Sequence, residues 1–256
     1  MSVPGPILFA RYAFPPNALG YCGPADAQAL LEYADAGHSD RGLVALARRF
    51  DGAWPYLTLI AASAGRTDPL DRDVVEAYWI GNPLLERVTA THLIAQLDER
   101  FARRIGHGWT DLATLAASGA RAHHNFHVFG VYPWVGMLRG GTPATPLHVL
   151  DNCRIAWGRV ESIDGTQAIV RSRGLVWTGR ELLLGPELPR SATVEAPGGQ
   201  ALATRVRVGD RVSLHWDWVC DVLQPHQVRA LRQYTQMHLD LVNRALNRPT
   251  VAAVLD

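Results

Sequence analysis

Three histidines near the middle of the chain form its densest group of possible metal ligands. His123, His124 and His127 fall within one five-residue segment. Neutral imidazole is the commonest metal ligand in proteins. On a helix or on a strand, His123 and His127 would share one face, but no glutamate lies between them to act as a base, as it does in zinc proteases. The segment therefore indicates either a metal site or a polar surface beside an aromatic core.

The three cysteines are too few and too far apart for a disulfide framework or for a zinc site of paired cysteines. They are Cys22, Cys153 and Cys220. Cys22, in the segment Gly20-Tyr-Cys-Gly-Pro24, is a candidate further ligand for the histidine group. Because such scattered cysteines are typical of reduced thiols, we expect a cytoplasmic protein.

Composition excludes several functional classes. All basic residues are arginines, and the absence of lysine excludes a phosphate-binding P-loop, a Schiff base and a lysine general base. No GxSxG or GxGxxG motif occurs. A net charge of +1 does not favour nucleic acid as a partner, and no apolar run is long enough to predict membrane insertion.

The elements that must position these residues differ between the two parts of the chain. Residues 1–120 have the spacing of helices, with apolar residues three and four apart. Residues 139–146, Arg-Gly-Gly-Thr-Pro-Ala-Thr-Pro, have the composition of a linker. Helices are predicted from Pro24 to Gly37, after an N-cap at Asp71, over six turns from Asn82-Pro83, and over 111–117.

Beyond the linker the apolar period changes from 3.6 to 2. Short strands are separated by glycine turns, of which Asp164-Gly165 is the strongest hairpin signal. A helix begins at Pro225. We expect an α+β protein with a helical domain (1–145) and a small OB-like β-barrel closed by a C-terminal helix (146–256). Strands are predicted at 155–163, 168–172, 175–177, 182–184, 204–208 and 211–216.

Two segments of this second part resemble the HypC/HupF chaperones of [NiFe]-hydrogenase assembly. The first runs from Cys153-Arg-Ile-Ala-Trp-Gly-Arg-Val to the Asp164-Gly165 hairpin and its returning strand. The second is Val208-Gly-Asp-Arg-Val-Ser-Leu-His215, which is similar to the family's VGD strand and leads to a terminal helix. The resemblance covers about residues 151–245, and its motifs occur in the family's order.

The resemblance implies a chaperone rather than an enzyme. Family members hold an iron fragment, Fe(CN)2CO, transiently, work with HypD, and pass the iron to the hydrogenase large subunit. The implied iron ligands here are Cys153, at the start of a strand, and His215. Their side chains should then lie within about 10 Å of each other, since metal–ligand bonds are ~2–2.3 Å long. The implied partners are a HypD-like protein and a large-subunit precursor, with the Trp216–Trp218 region contributing to the contact.

Two departures from the family leave other interpretations open. The family's cysteine follows the initiator methionine, whereas Cys153 is internal, and Trp157 replaces a proline. Cys153 could instead be a small buried residue, and His215 a core histidine bonded to a carbonyl. Two alternative functions stand beside the chaperone. One is a metal-dependent enzyme built on the three histidines and Cys22, and the other is a metal-free interaction module.

Overall fold

The computed structural model describes residues 3–105 and 109–247, and the side chains of all of these except 99–105 and 109–111. The last nine residues of the predicted second domain, 248–256, lie outside these ranges.

Helices occupy the chain up to residue 153. They are α1 (Gly5–Ala18), α2 (Ala27–Ala36), α3 (Arg41–Arg48), α4 (Trp54–Ser63), α5 (Arg72–Trp79), a 3-10 helix (Pro83–Arg87), α6 (Ala90–Ile105), α7 (Trp109–Ala117), α8 (His124–Phe126) with a following π-helical turn (His127–Val131), α9 (Trp134–Met137) and α10 (Ala144–Cys153).

Side-chain caps set several of the helix starts. The prediction that Asp71 caps a helix is confirmed, since its carboxylate accepts a hydrogen bond from the Asp73 amide. The prediction of one long helix from Asn82 is wrong. Asn82 caps only the short 3-10 helix, and the Thr89 hydroxyl then accepts from the His92 amide and starts α6 separately. A second capping residue therefore divides the predicted helix.

Helix α1 is not apparent from the sequence pattern because it has no polar face. Almost all of its residues are buried, and a helix that is apolar all round lacks the 3.6-residue alternation. Pro15 and Pro16 lie within its last turn. Since proline has no amide proton, these two residues leave the carbonyls of Arg11 and Tyr12 without their usual helical donors. The buried helix α1 therefore contains two carbonyl groups that lack a donor within the helix.

The second part of the chain confirms the mixed α+β class. Five strands are hydrogen-bonded in the order β1-β2-β3-β5-β4, and β4 pairs with β1, so the sheet closes on itself. The Asp164-Gly165 turn joins β1 and β2 as predicted. All pairs are antiparallel except β3–β5. The elements are β1 (Ala156–Asp164), β2 (Gln167–Trp177), β3 (Leu182–Thr193), β4 (Arg211–His215), β5 (Trp218–Val222) and α11 (Pro225–Leu246).

Two local predictions for this part are wrong. Residues 204–208 form no strand, because Arg205 adopts a left-handed backbone conformation with φ 63° that interrupts an extended chain. Strand β4 forms its hairpin with β5 instead, through a turn at Trp216 and Asp217. Cys153 does not open a strand, since it is the last residue of α10, three residues before β1.

The helical part and the barrel share one buried apolar cluster. It includes residues of α1, α4 and α5 together with Ile155, Cys220 and Leu223 of the second part, and Leu231 and Tyr234 of α11. The division into domains at residues 139–146 stays a prediction. A site between the two parts can therefore be held by side chains from both.

A buried ion pair fixes α1 to the barrel. Arg11 donates to Asp221 over 2.8 Å, and both side chains are largely buried, at 7% and 15% exposure. Tyr12 and Ser213 share a second hydrogen bond of 2.8 Å beside it. Burial raises the pKa of Asp221 although Arg11 opposes this change, so the pair is strongly desolvated. Each of these two buried charges, on Arg11 and Asp221, therefore needs the other as its counter-charge.

We expect Asp221→Asn to lower the free energy of unfolding by about 3 kcal/mol, because Arg11 would remain buried without a counter-charge. Urea denaturation measures the change. The double variant Arg11→Met with Asp221→Asn should recover most of the loss, since it removes the uncompensated charge. A double variant as unstable as the single one would mean that packing, rather than charge burial, determines the effect.

Candidate metal centre

One group of possible metal ligands is assembled from three separate elements. His124, Cys153 and His215 each offer one ligand atom, and these atoms all lie within 4.8 Å of one another. His124 begins α8, Cys153 ends α10 and His215 ends β4. All three residues are buried, with exposures of 5%, 7% and 0%. The expected approach of Cys153 and His215 is confirmed, and His124 joins them from the helical part.

His215 is oriented by the free carbonyl of α1. Its Nδ1 donates a hydrogen bond of 2.6 Å to the carbonyl oxygen of Tyr12. That carbonyl is available because Pro16, four residues further along the helix, has no amide proton to donate. With the proton on Nδ1, the neutral ring has its lone pair on Nε2. The backbone of Cys153 is a second polar neighbour of the ring, but no hydrogen bond of good geometry reaches the buried Nε2 among the described residues.

His124 is held at both ring nitrogens. Its Nε2 lies 2.8 Å from the carbonyl oxygen of Cys153, and because a carbonyl only accepts, the proton is on Nε2. Its Nδ1 lies 3.2 Å from the hydroxyl of Tyr78, which is also 3.0 Å from the carbonyl of Gly52. The Tyr78 hydroxyl has one proton, which it can donate to the carbonyl of Gly52. The Nδ1 of His124 can then bind a metal, and the Tyr78 hydroxyl still has an acceptor for its proton. In a metal-bound histidine, the ring nitrogen that does not bind the metal typically donates its proton to a carbonyl or a carboxylate.

Burial keeps the whole group uncharged. It lowers the pKa of His124 to about 4 and, together with the nearby His124 ring, lowers that of His215 well below its usual value. Burial also raises the pKa of the Cys153 thiol. Both imidazoles are therefore already in the form that binds metals, whereas a metal must displace the thiol proton.

The donor set fits a transition metal. One sulfur and two imidazole nitrogens suit iron, zinc or copper rather than magnesium or calcium, which require oxygen. The buried lone pair on His215 Nε2 is the clearest structural sign of a ligand position, because a buried acceptor without a partner costs free energy. Three protein ligands would leave at least one coordination position open.

A small cavity borders two residues of this group, His124 and Cys153. Its volume is about 20 Å³, room for little more than a water molecule or one ion. Cys153 and His124 lie on one side, and Cys22 and Tyr21 on the side of the loop between α1 and α2. The Tyr21 ring is stacked on Trp216, with 4.3 Å between the ring centres. The loop therefore covers the cavity.

Trp216 lies next to His215 in the turn between β4 and β5. Its backbone has φ 52°, which is unfavourable for a large side chain, and strain of this kind costs on the order of 1–3 kcal/mol. The Trp216 amide donates to the carbonyl of Asn152 over 2.7 Å, and its ring is only 4% exposed. Trp216 is therefore buried beside His215, whereas Trp218 is half-buried, and contact of the Trp216–Trp218 region with a partner stays a prediction.

The three clustered histidines have different surroundings, and of the three only His124 belongs to the group with Cys153 and His215, so a site shared by all three stays a prediction. His123 precedes α8 in an extended conformation, where its Nδ1 accepts from the Asn125 amide and its ring stacks on Tyr234. His127 lies in the π-helical turn, with Nδ1 3.4 Å from the Tyr56 hydroxyl. His127 and Cys22 line the cavity but are outside the group of three.

The residues that sequence analysis missed orient the ligands. Tyr12 and Tyr78 act through a carbonyl and a hydroxyl, and neither belongs to a recognisable motif. The consecutive prolines Pro15 and Pro16 were the available signal, because two prolines within a helix leave two carbonyl groups free for other donors.

Comparison with known proteins identifies the family but no activity. The chain belongs to a family of unknown function, DUF6390, whose profile matches residues 1–249. This match spans both the helical part and the barrel. No curated protein and no solved structure matches the chain. Among the described residues, no helix has the length and apolar character needed to cross a membrane.

We expect the metal-free protein to lose stability as the pH falls from about 6.5 towards about 4. The buried histidines have folded-state pKa values below the unfolded value of about 6.5, so the unfolded chain binds more protons in this range. Each such histidine contributes up to about 1.4 kcal/mol per pH unit. Urea denaturation at a series of pH values measures the slope.

Nitrogen-15 NMR of the same protein should find His215 neutral with its proton on Nδ1. In Pro16→Ala, the restored amide would compete for the Tyr12 carbonyl, and this tautomer preference should weaken. A His215 ring that titrates near pH 6.5, or a proton on Nε2, would contradict the arrangement described for this site.

Proposed function

We propose that this protein is an assembly factor that binds a transition metal through His124, Cys153 and His215 and passes it to a partner protein. The observation that carries the proposal is the convergence of the three ligand atoms within 4.8 Å. Cys153 and His215 are the two residues that the resemblance to HypC/HupF chaperones had marked. They are 62 positions apart in sequence, and their meeting at one point supports a common role.

The barrel topology supports the same relationship. Strand order β1-β2-β3-β5-β4, with β4 returning to β1 and a parallel contact between β3 and β5, is compatible with an OB-type barrel. Cys153 stands immediately before this barrel and His215 at the end of β4. We therefore propose an OB-like barrel of the HypC type, to which a helical part has contributed a third ligand.

The chemistry of the ligands suits temporary binding of iron. A thiolate donates strongly to low-spin iron, and imidazole is a good borderline ligand. Three protein ligands would leave positions on the metal for non-protein ligands or for a ligand from the acceptor protein. The proposed cargo is the Fe(CN)2CO fragment, received with a HypD-like protein and delivered to a [NiFe]-hydrogenase large-subunit precursor.

The size of the cavity sets a condition on this cargo. A volume of about 20 Å³ accepts one ion but not an iron atom that also carries cyanide and carbon monoxide. The loop that carries Tyr21 must therefore move when the fragment enters or leaves. Leu19 and Tyr21 on this loop are 56% and 45% exposed, so an acceptor protein could contact the loop directly.

A resident metal centre is the second candidate function, and near-complete burial of the ligands favours it. A metal enclosed by His124, Cys153 and His215 would exchange slowly and stabilise the shared core. The group of three contains no carboxylate among the described residues. An enzyme built on it would need its general base from elsewhere. Rapid transfer of the metal to an acceptor would distinguish an assembly factor from such a centre.

We expect protein purified from cells that make a [NiFe]-hydrogenase to show infrared bands of iron-bound cyanide and carbon monoxide. Cys153→Ala should lose these bands and stop hydrogenase maturation, because the thiolate is the strongest donor of the set. Cys220→Ala is the matched control, since Cys220 is another buried cysteine that is not one of the three ligands.

Circular dichroism would establish that both variants fold. Full hydrogenase maturation in the Cys153→Ala strain would contradict the role as iron carrier. Unchanged hydrogenase activity after deletion of the whole gene would contradict the assembly function itself.

A further inference from the structure

A second thiol faces the same cavity as two of the three proposed metal ligands. Cys22 and Cys153 both line this small space, together with His124. Cys22 belongs to the loop between α1 and α2 and is only partly buried as a residue. Its thiol nevertheless lies among apolar neighbours such as Pro16 and Phe50, and this burial raises its pKa to about 12. Cys22 therefore shares the cavity with Cys153 and His124 and is less buried than either of them.

Several contacts hold the loop in this position. The side-chain amide of Asn17 donates to the carbonyls of both Cys22 and Pro24, each over 2.6 Å. The Tyr21 amide donates to the carbonyl of Pro16 over 2.9 Å, so the loop is fixed to the same turn of α1 that orients His215. Gly23 has φ 83° and packs so closely on Phe50 that a Cβ would lie 2.4 Å from its ring. The loop geometry thus directs Cys22 to the cavity.

Charge balance gives Cys22 a function there. A bare divalent ion, without cyanide or carbon monoxide, has a net charge of +1 when it is bound by one thiolate and two neutral imidazoles. The group contains no carboxylate among the described residues, and an uncompensated charge in a buried apolar site is costly. A second thiolate would make the site neutral. His127 also lines the cavity, but an imidazole would leave the net charge at +1.

We infer that Cys22 is the fourth ligand of a bare divalent ion in this site, completing a set of two cysteines and two histidines. On iron that carries two cyanides and one carbon monoxide, the three inner ligands already fill the six positions, so Cys22 does not bind that fragment. Binding of a divalent ion then displaces one proton from each thiol to solvent, with no change in oxidation state. Because Cys22 is on the covering loop, it is also the ligand that can dissociate first when the metal is transferred. This inference rests on the proposed function, which itself requires only the three inner ligands.

Titration of the reduced, metal-free protein with Co²⁺ tests the inference. The thiolate-to-cobalt charge-transfer absorption grows with the number of cobalt–sulfur bonds, and calorimetry in buffers of different ionisation enthalpy counts released protons. We expect about two protons for the wild type, since both histidines are already neutral. Cys22→Ser should release about one proton, lose about half of the charge-transfer absorption and still bind one Co²⁺ per chain.

The matched control is Cys220→Ser, which should behave as the wild type. If Cys22→Ser keeps the full absorption and proton release, Cys22 is not a ligand, and the three-ligand site stands. If His127→Gln, rather than Cys22→Ser, changes the cobalt spectrum, the fourth ligand is His127 and the inference is overturned. If the wild type binds no Co²⁺, the proposed function fails together with the inference.

Discussion

The hydrogen bond from His215 to the carbonyl of Tyr12 is the constraint on which the rest of the site depends. Pro16 favours this bond, because it has no amide proton that would compete for the same carbonyl within the helix. The bond fixes the tautomer of His215 and directs its lone pair into the protein interior. It also joins the helical part to the barrel, beside the Arg11–Asp221 ion pair and the Tyr12–Ser213 hydrogen bond. A helix with an irregular last turn thereby becomes the orienting element of the candidate metal centre.

Burial of the site determines both its chemistry and its cost. Imidazoles that cannot ionise are ready to bind a metal, but a thiol that cannot ionise must exchange its proton for the metal. The metal-free protein therefore holds a neutral, imperfectly satisfied group, with a free lone pair on His215 and a strained backbone at Trp216. Such features are compatible with a site that is completed by a ligand. The family profile covers nearly the whole chain, which agrees with a site that needs both parts.

The sequence predicted the parts of this structure that depend on local signals. The Asp164-Gly165 turn and the cap at Asp71 are determined by short-range chemistry, and both occur as expected. Cys153 was placed correctly beside His215, although at the end of a helix rather than at the start of a strand. His124 was predicted as a possible metal ligand only together with His123 and His127, and the sequence could not single it out as the one that joins Cys153 and His215. His123 precedes α8 in an extended conformation, and no periodic pattern encodes the change of backbone direction that separates it from His124. Likewise, an all-apolar helix such as α1 gives no amphipathic signal.

The most direct test of the metal centre is anomalous diffraction from crystals of the protein loaded with one equivalent of Zn²⁺ or Co²⁺. We expect a single anomalous peak bonded to Sγ of Cys153, Nε2 of His215 and one ring nitrogen of His124, at ~2.0–2.3 Å from each. The Nδ1 of His215 should still donate to the Tyr12 carbonyl. Metal bound only at exposed histidines, with Nε2 of His215 not coordinated, would contradict the existence of this centre.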